Sequence, residues 1–551
     1  MTGAWLRRAL LAAWLLGAVF GCGPGGTSAA FDALSSEAIG AHVSFLASDL
    51  LEGRAPSTQG EKLAALYIAS QFEQAGLIPA VGDSSFLQPV PLLGIESELR
   101  LSFRAPGGAL FQPERNDEIV LWSPQVSESV QLTGPLVFAG HGIVSAEHEW
   151  DDFKGVDLEG AVLMVLAGDP EVRTRFHGDT LSRFGLPDHK FEEAARRGAA
   201  GVILIHRPEH PESWQTIQRA WTERRLRLAE DSLKPVPALE GWLSQDAARQ
   251  LVAMAGLDFG TLIESAQAPT FRPIATGLNV SASGRNRIRR TVGYNVVGKL
   301  AGVDSTAAAL IYLAHYDGEG YGRAIDSDSI YNGCYRNASG TGLLIGLAHA
   351  FARLPEPTRR SILFLAVTAH HPDRLGSRHY VRRPVVSLAA TAAAINIDGA
   401  SLWGRTTDVV VLGTESSDLD VAVARVAAEE GLRRVGDPLP ELGRLYRSDH
   451  LPFMRAGIPV AYVQHGVDFI GRMPGWGRRM LRDYGRHVVR SPDDECTAST
   501  DFGGAEIQAR LAFRLGLEVA NRRVRPRWHA GSEYRAVQDS LWSGQGREAG
   551  E

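Results

Sequence analysis

The stretch that decides the fold is Arg360-Ser-Ile-Leu-Phe-Leu-Ala-Val-Thr-Ala-His-His-Pro-Asp-Arg-Leu-Gly-Ser-Arg-His-Tyr380. It begins with a short apolar run, Ile362–Val367, and then turns polar. A continuous apolar run of this length is typical of a β-strand that is covered on both faces. Open α/β sheets place their sites at the carboxyl ends of such strands, so His370 and His371 are candidate site residues.

The chain around this stretch alternates between buried strands and helices from Asn295 onward. Leu310–Leu313 is a second short apolar run, and Gly342–Arg353 and Leu419–Glu430 have helical character. This alternation predicts an α/β fold with a central mixed β-sheet that is flanked by helices.

Further polar motifs follow in a fixed order along the chain. They are Leu46–Pro56, Ala314-His-Tyr-Asp317, Tyr331–Thr341, Ile395-Asn-Ile-Asp398, Ser448-Asp-His450 and Val489–Glu495. Together with residues 360–380, they resemble the motifs of the di-zinc aminopeptidases, a family of zinc exopeptidases, over most of residues 36–525. The resemblance implies the zinc-exopeptidase fold and a metal site at the strand ends.

The positions that correspond to the family's zinc ligands and general base are mostly substituted. His315 and Asp398 match ligands, and the resemblance implies second-shell roles for Asp317 and Asp449. Four positions differ: Arg336 replaces the bridging aspartate, His370 the general-base glutamate, His371 a ligand glutamate and Arg490 the last histidine ligand.

These substitutions reverse the charge of the expected site. A two-zinc hydrolytic site needs carboxylates that bridge and neutralise the cations. Here Asp398 supplies a single negative charge, whereas Arg336 and Arg490 cannot be deprotonated. Two unit charges 4 Å apart repel by about 4 kcal/mol at an effective dielectric constant of about 20, and a dication doubles this. We therefore predict no bound cofactor.

Three interpretations of the site remain at this point. The first is a degenerate site without di-zinc peptidase activity, in which Arg336 pairs with Asp398. The second is an active hydrolase with one zinc ion held by His315, Asp398 and His370 or His371, a two-histidine, one-carboxylate set. The third is a binding module whose arginines recognise a peptide or a small anionic ligand.

The length and composition set the domain organisation. With 551 residues the chain is too long for one core, and 44% hydrophobic and 22% charged residues are typical of a globular protein. The net charge of −6 without a basic stripe argues against a nucleic-acid partner. We predict a peptidase-like domain in two parts, over residues 36–104 and 276–525. Between these parts, residues 105–275 form an insert that resembles a protease-associated (PA) domain. Residues 526–551 form a polar C-terminal tail.

The N-terminus resembles a bacterial lipoprotein signal. Arg7 and Arg8 precede the apolar run Ala9–Phe20, which is too short to span a bilayer. It ends in Val19-Phe-Gly-Cys22, which predicts a signal peptide over residues 1–22, lipidation of Cys22 and a flexible linker over residues 23–35. We expect a lipid-anchored protein on the periplasmic face of the outer membrane; the alternative is ordinary signal-peptidase cleavage nearby.

Two cysteines remain after this processing, Cys334 and Cys496. Both lie beside the motifs that carry Arg336 and Arg490, in a compartment where disulfides form. The sequence permits either a bridge between them or two unpaired buried thiols, and it leaves the oligomeric state open.

Overall fold

The computed structural model describes residues 28–548, except residues 83, 173–174, 177–179 and 223–224. The predicted signal peptide, Cys22 and the first part of the predicted linker lie outside these residues. The end of that linker is helical over Ser28–Asp32, where Ala30 is fully buried.

Two longer helices follow Ser28–Asp32. They span Ser36–Leu46 and Gln59–Gln74 and are separated by a turn over Asp49–Arg54. Ser35 Oγ accepts a hydrogen bond from the amide of Ala38 at 3.2 Å, and Thr58 Oγ1 from that of Glu61 at 3.3 Å. These N-caps satisfy amide groups that have no partner inside the helix and so fix where each helix begins.

The central sheet is mixed, which confirms the predicted fold class. Ala309–His315 lies between Ile362–Val367 and Thr391–Ile397, and all three strands are parallel. The sheet continues through parallel and antiparallel neighbours, namely Val460–His465, Asp408–Leu412 and Arg433–Val435. The helices of this part are Ser339–Ala352, Leu375–Arg382, Leu419–Glu429, His450–Arg455, Trp476–Asp483, Gly503–Asn521 and Arg535–Glu548.

The insert has strands and helices of its own. Val162–Leu166 and Gly201–His206 are parallel buried strands, and Gly198, at φ 67°, ends the helix that precedes the second one. The other strands of this part are Leu87–Arg104, Leu110–Phe111, Ile119–Trp122, Ser129–Phe138, Val144–Ser145, Trp150–Asp151, Arg225–Leu228 and Leu239–Ser244. Its helices are Pro187–Arg196, Trp214–Thr222, Gln245–Met254 and Phe259–Ser265.

One long strand, Ile274–Leu300, joins the insert to the central sheet. Its C-terminal end pairs with Ile362–Ala366, and its N-terminal half pairs with Ser129–Phe138. The strands of the insert therefore continue the same hydrogen-bonded ladder instead of forming a detached sheet. The insert nevertheless has separate hydrophobic cores, which include Phe103 and Phe138 on one face and Trp122 and Trp242 on the other. The domain boundaries at 105 and 275 stay a prediction.

Three further strands are short: Ile78–Pro79 pairs with the end of the long strand, and Gly320–Ile325 pairs with Asp328–Tyr331.

Beyond residue 525, Trp528 is 1% exposed and its Nε1 donates to the carbonyl of Gly457 at 3.0 Å. The described part of the predicted tail therefore packs against the central domain. Among the helices of the described residues, none combines the length and the apolarity that crossing a membrane requires.

Candidate functional site

The candidate site lies at the carboxyl edge of the central sheet. His315 is the last residue of its strand, His370 follows Ile362–Val367, and Asp398 follows Thr391–Ile397. Because these three strands are parallel neighbours, their carboxyl ends meet at one edge. The fold therefore brings together side chains that are far apart in the sequence.

His315, His370 and Asp398 form a compact buried group. One ligand-type atom from each lies within 4.8 Å of the other two. His315 Nε2 is 3.5 Å from Asp398 Oδ1, and neither atom has a hydrogen-bond partner among the described residues. The imidazole rings of His315 and His370 are stacked, with centroids 3.9 Å apart and planes 10° from parallel.

Asp317 and Asp449 hold this group in place. His315 Nδ1 donates to the carbonyl of Asp317 at 3.2 Å, and the Asp317 carboxylate accepts the backbone amide of His370 at 3.0 Å. His370 Nδ1 donates to Asp449 Oδ2 at 2.7 Å, while Ser377 Oγ donates to the other oxygen of Asp449. Asp317 thus ties two strand ends together, and Asp449 fixes the orientation of His370.

Arg336 brings a positive charge to this group. Its Nη2 is 3.6 Å from Asp398 Oδ1, and its backbone amide donates to Asp494 at 3.1 Å. Burial alone would raise the pKa of Asp398, but Arg336 and His315 hold it well below its usual range. Asp398 is therefore an anion that a guanidinium already neutralises.

His371 and Arg490 form a second pair, which lies apart from the first group. Arg490 Nη2 donates to His371 Nδ1 at 2.7 Å, and Arg490 Nε donates to Glu319 Oε1 at 3.0 Å. Burial first, and then the charge of Arg490, hold the pKa of His371 well below its usual value. His371 is therefore a neutral acceptor for Arg490, and its ring is not part of the buried group.

The carboxylates of Asp317 and Asp398 favour the protonated form of His315. Burial lowers the pKa of an imidazole, but the contacts with these two carboxylates outweigh this effect and raise the pKa of His315 to about 10.

A pair of zinc ions does not fit these residues, because Arg336 and Arg490 bring guanidinium groups to two expected ligand positions. A single zinc ion fits the donor chemistry of His315, His370 and Asp398 but not their arrangement. Zinc takes ligands at tetrahedral angles. The planes of the two stacked rings are 10° from parallel and their centroids are 3.9 Å apart, so a point in the plane of one ring lies out of the plane of the other. One ring would have to rotate before an ion could bind.

Two connected cavities open from this edge, with volumes of about 580 Å³ and 570 Å³. Arg336, His370, His371 and Arg490 line both. The insert lines the cavity of about 570 Å³ with a set of largely buried apolar side chains, here called the insert wall: Leu186, Phe191, Ile217, Trp221 and Trp242.

Several residues of the site were not predicted from the sequence. Ser448 donates to Asp398 Oδ2 at 2.6 Å, and Asp494 accepts the amides of Tyr335 and Arg336. Both residues lie inside motifs that the sequence analysis names, so the sequence contained a signal that they belong to the site. Glu319 and the insert wall lie outside any motif, and no local pattern marks them.

The two cysteines form a disulfide. Cys334 and Cys496 are bonded, with their Cα atoms 5.4 Å apart. The bridge ties the loop that carries Arg336 to the loop that follows Arg490. Of the two alternatives that the sequence left open, the structure contains the bridge.

A family model matches part of the chain. Residues 295–530, which are 236 of the 551 residues, match Peptidase family M28. The sequence matches no curated protein.

Solved structures agree at the level of the fold. An aminopeptidase from Aneurinibacillus sp. strain AM-1 superimposes with a TM-score of 0.53 and 17% identity, over 89% of this chain and 95% of that one. BSAP, a zinc aminopeptidase from Bacillus subtilis, gives a TM-score of 0.46 at 18% identity, over 91% of this chain and 97% of that one. The first of these supports the fold; the second is too distant to carry an argument.

Proposed function

We propose that this chain is an exported protein of the M28 peptidase fold that binds an anionic group, such as a peptide carboxylate, and does not hydrolyse peptides with two zinc ions. One observation carries the proposal. The Arg336 guanidinium stands 3.6 Å from Asp398, where a di-zinc site needs a bridging carboxylate. Its side chain is 35% exposed and lines both cavities.

The charges of the cavity of about 570 Å³ support an anionic ligand. Its lining contains eight arginine and five carboxylate side chains, with no lysine. A cleft with a surplus of one sign of charge concentrates ligands of the opposite sign. Arginine also binds carboxylates with two parallel hydrogen bonds, which adds geometric selectivity.

The loss of the base argues against di-zinc hydrolysis independently of the metal. His370 stands where the resemblance expects a glutamate, and its Nδ1 is held by Asp449. Losing a general base lowers a rate by about 10²- to 10⁴-fold. The charge on Arg336 opposes the cations that would activate water, so the two losses compound.

The proposal includes export with a lipid anchor. It rests on the segment Val19-Phe-Gly-Cys22 after a short apolar run. The disulfide between Cys334 and Cys496 is consistent with an oxidising compartment.

Calorimetric titration with the tripeptide Ala-Ala-Phe, together with a turnover assay on an amino-acid anilide in added zinc, tests the proposal. We expect saturable binding, no turnover, and loss of binding in Arg336→Ala. Arg425→Ala is the matched control, since this arginine lies on an outer helix and its side chain is 55% exposed. Chelator-sensitive turnover by the unaltered chain, or tripeptide binding that Arg336→Ala leaves intact, would overturn the proposal.

A second candidate is a single-metal hydrolase that uses His315, His370 and Asp398. The unpartnered Nε2 of His315 and Oδ1 of Asp398 favour it. One equivalent of zinc in the purified chain, lost in His315→Ala together with turnover, would establish this candidate in place of the first.

A further inference from the structure

The cavity of about 570 Å³ has two chemically different walls. The central domain contributes a polar side that contains Arg336, Arg447 and Arg490. The insert contributes the apolar insert wall together with the charged side chains of Asp188, Glu209, Glu212 and Arg225. A ligand with an anionic group at one end and an apolar group at the other matches the arginines and the insert wall. The volume of about 570 Å³ falls within the range of about 300–1,000 Å³ that is usual for sites of small ligands.

Each of the three arginines on the polar side has one carboxylate partner among the described residues, and the partner of Arg336 is the most distant. Arg447 Nη1 is 3.2 Å from Glu212, and Arg490 is paired with Glu319. Arg336 has Asp398 as its one carboxylate partner within the described part of the chain, at the long distance of 3.6 Å. Arg336 is therefore the guanidinium best able to take a ligand carboxylate.

The apolar side is held in place by stacking. The guanidinium carbon of Arg225 lies 3.9 Å from the ring centre of Trp221 and 4.3 Å from that of Trp122. Cation–π contacts of this kind stabilise both partners when they are removed from water. Trp221 is thereby fixed in the wall of the cavity, and it packs edge-on against Trp242.

The cavity lining also contains an unpartnered acceptor. Gln464 lines the cavity and is 4% exposed, and its Oε1 has no hydrogen-bond partner among the residues that the structure describes. A buried carbonyl oxygen without a donor costs free energy until a ligand supplies one. The amide N–H of a peptide would supply that donor, whereas a fatty acid has none to offer.

We propose that this cavity binds the carboxyl-terminal end of a short peptide, with its free carboxylate at Arg336, a backbone amide at Gln464 and an apolar last side chain against the insert wall. This inference rests on the proposed function and adds the ligand class and the role of the insert. It assigns Trp221 as the residue that selects apolar over small last residues.

The test compares four probes by calorimetry on the full chain: Ala-Ala-Phe, its C-terminal amide, Ala-Ala-Gly and dodecanoate. Ala-Ala-Phe should bind most tightly. Burying a large apolar side chain corresponds to roughly tenfold to a hundredfold in affinity, so Ala-Ala-Gly should bind more weakly by that factor. The amide should lose binding because it lacks the carboxylate. Dodecanoate should bind more weakly than Ala-Ala-Phe, and tighter dodecanoate binding would refute a peptide ligand.

Variants on one helix locate the apolar subsite. Trp221→Ala should remove the preference for Ala-Ala-Phe over Ala-Ala-Gly, and Trp221→Phe should restore most of it. Trp214→Ala is the matched control, because Trp214 lies on the same helix, Trp214–Thr222, but does not line the cavity. If Ala-Ala-Phe and Ala-Ala-Gly bind equally well to the unaltered chain, this inference fails while the proposed function stands. If neither binds, the proposed function fails as well.

Discussion

At the scale of single residues, the proposed function rests on position 336. A carboxylate at position 336 would help to neutralise two cations. The guanidinium of Arg336 instead pairs with Asp398 and neutralises the charge of that carboxylate. Asp317 and Asp398 raise the pKa of His315 and so favour its protonated form. The Asp398 carboxylate therefore has positively charged neighbours within the protein itself.

Glu61 is a buried carboxyl group behind the site whose pKa gives a pH-dependent prediction. It is 1% exposed and accepts hydrogen bonds from Tyr316 and Thr368. Burial raises its pKa from 4.5 to about 7. Because the folded-state pKa is the higher one, the protonated group contributes stability that is full below pH 4.5 and is lost as the pH rises through 7.

We therefore expect Glu61→Gln to be more destabilising at pH 5 than at pH 8. At about 1.4 kcal/mol per pKa unit, the difference should be about 2–3 kcal/mol in the free energy of unfolding. Thermal unfolding at the two pH values measures it. Glu73→Gln, an exposed position on the same helix, is the control and should show no such difference. An equal effect of Glu61→Gln at both pH values would contradict the argument.

At the scale of elements, the disulfide between Cys334 and Cys496 joins two loops that are 162 residues apart in sequence. A cross-link over a long loop restricts the unfolded chain and typically stabilises by about 2–4 kcal/mol. We expect a reducing agent to lower the unfolding midpoint of the oxidised protein. It should not change the midpoint of the double variant Cys334→Ser, Cys496→Ser. A midpoint that does not respond to reduction would show that the bridge does not restrain these loops.

The elements themselves were largely predictable from the sequence. The apolar run Ile362–Val367 is a strand with the predicted bounds, and the helix predicted from Gly342 spans Ser339–Ala352. Periodicity reports local structure, and hydrophobic runs mark strands wherever both faces are covered. The helix Arg535–Glu548 was missed because its sequence is polar, with few apolar positions to mark a face.

The site was predictable only in part. Motifs placed His315, His370 and Asp398 at strand ends, and the parallel strands bring them together. The pairing of His371 with Arg490 and the insert wall depend on contacts between segments that are distant in sequence, and no local pattern records such contacts. The shared ladder through Ile274–Leu300 was also unforeseen, because the length of a strand does not reveal its partners.

At the scale of the whole molecule, the proposed anchor gives a prediction about location. A lipidated Cys22 would hold the chain at a membrane, although no described helix has the length and apolarity to cross one. In a bacterial host, the unaltered chain should fractionate with membranes, and Cys22→Ala should appear in the soluble fraction with a changed precursor size. Unchanged processing and fractionation of Cys22→Ala would rule out the lipid anchor.

The metal content of the purified full-length chain tests the central claim most directly. After incubation with excess zinc and removal of the unbound ion, elemental mass spectrometry should find no stoichiometric zinc, because Arg336 and Arg490 occupy expected ligand positions. The same sample should release no N-terminal residue from a peptide above the chelator-treated background. Two equivalents of bound zinc together with chelator-sensitive turnover would contradict the account.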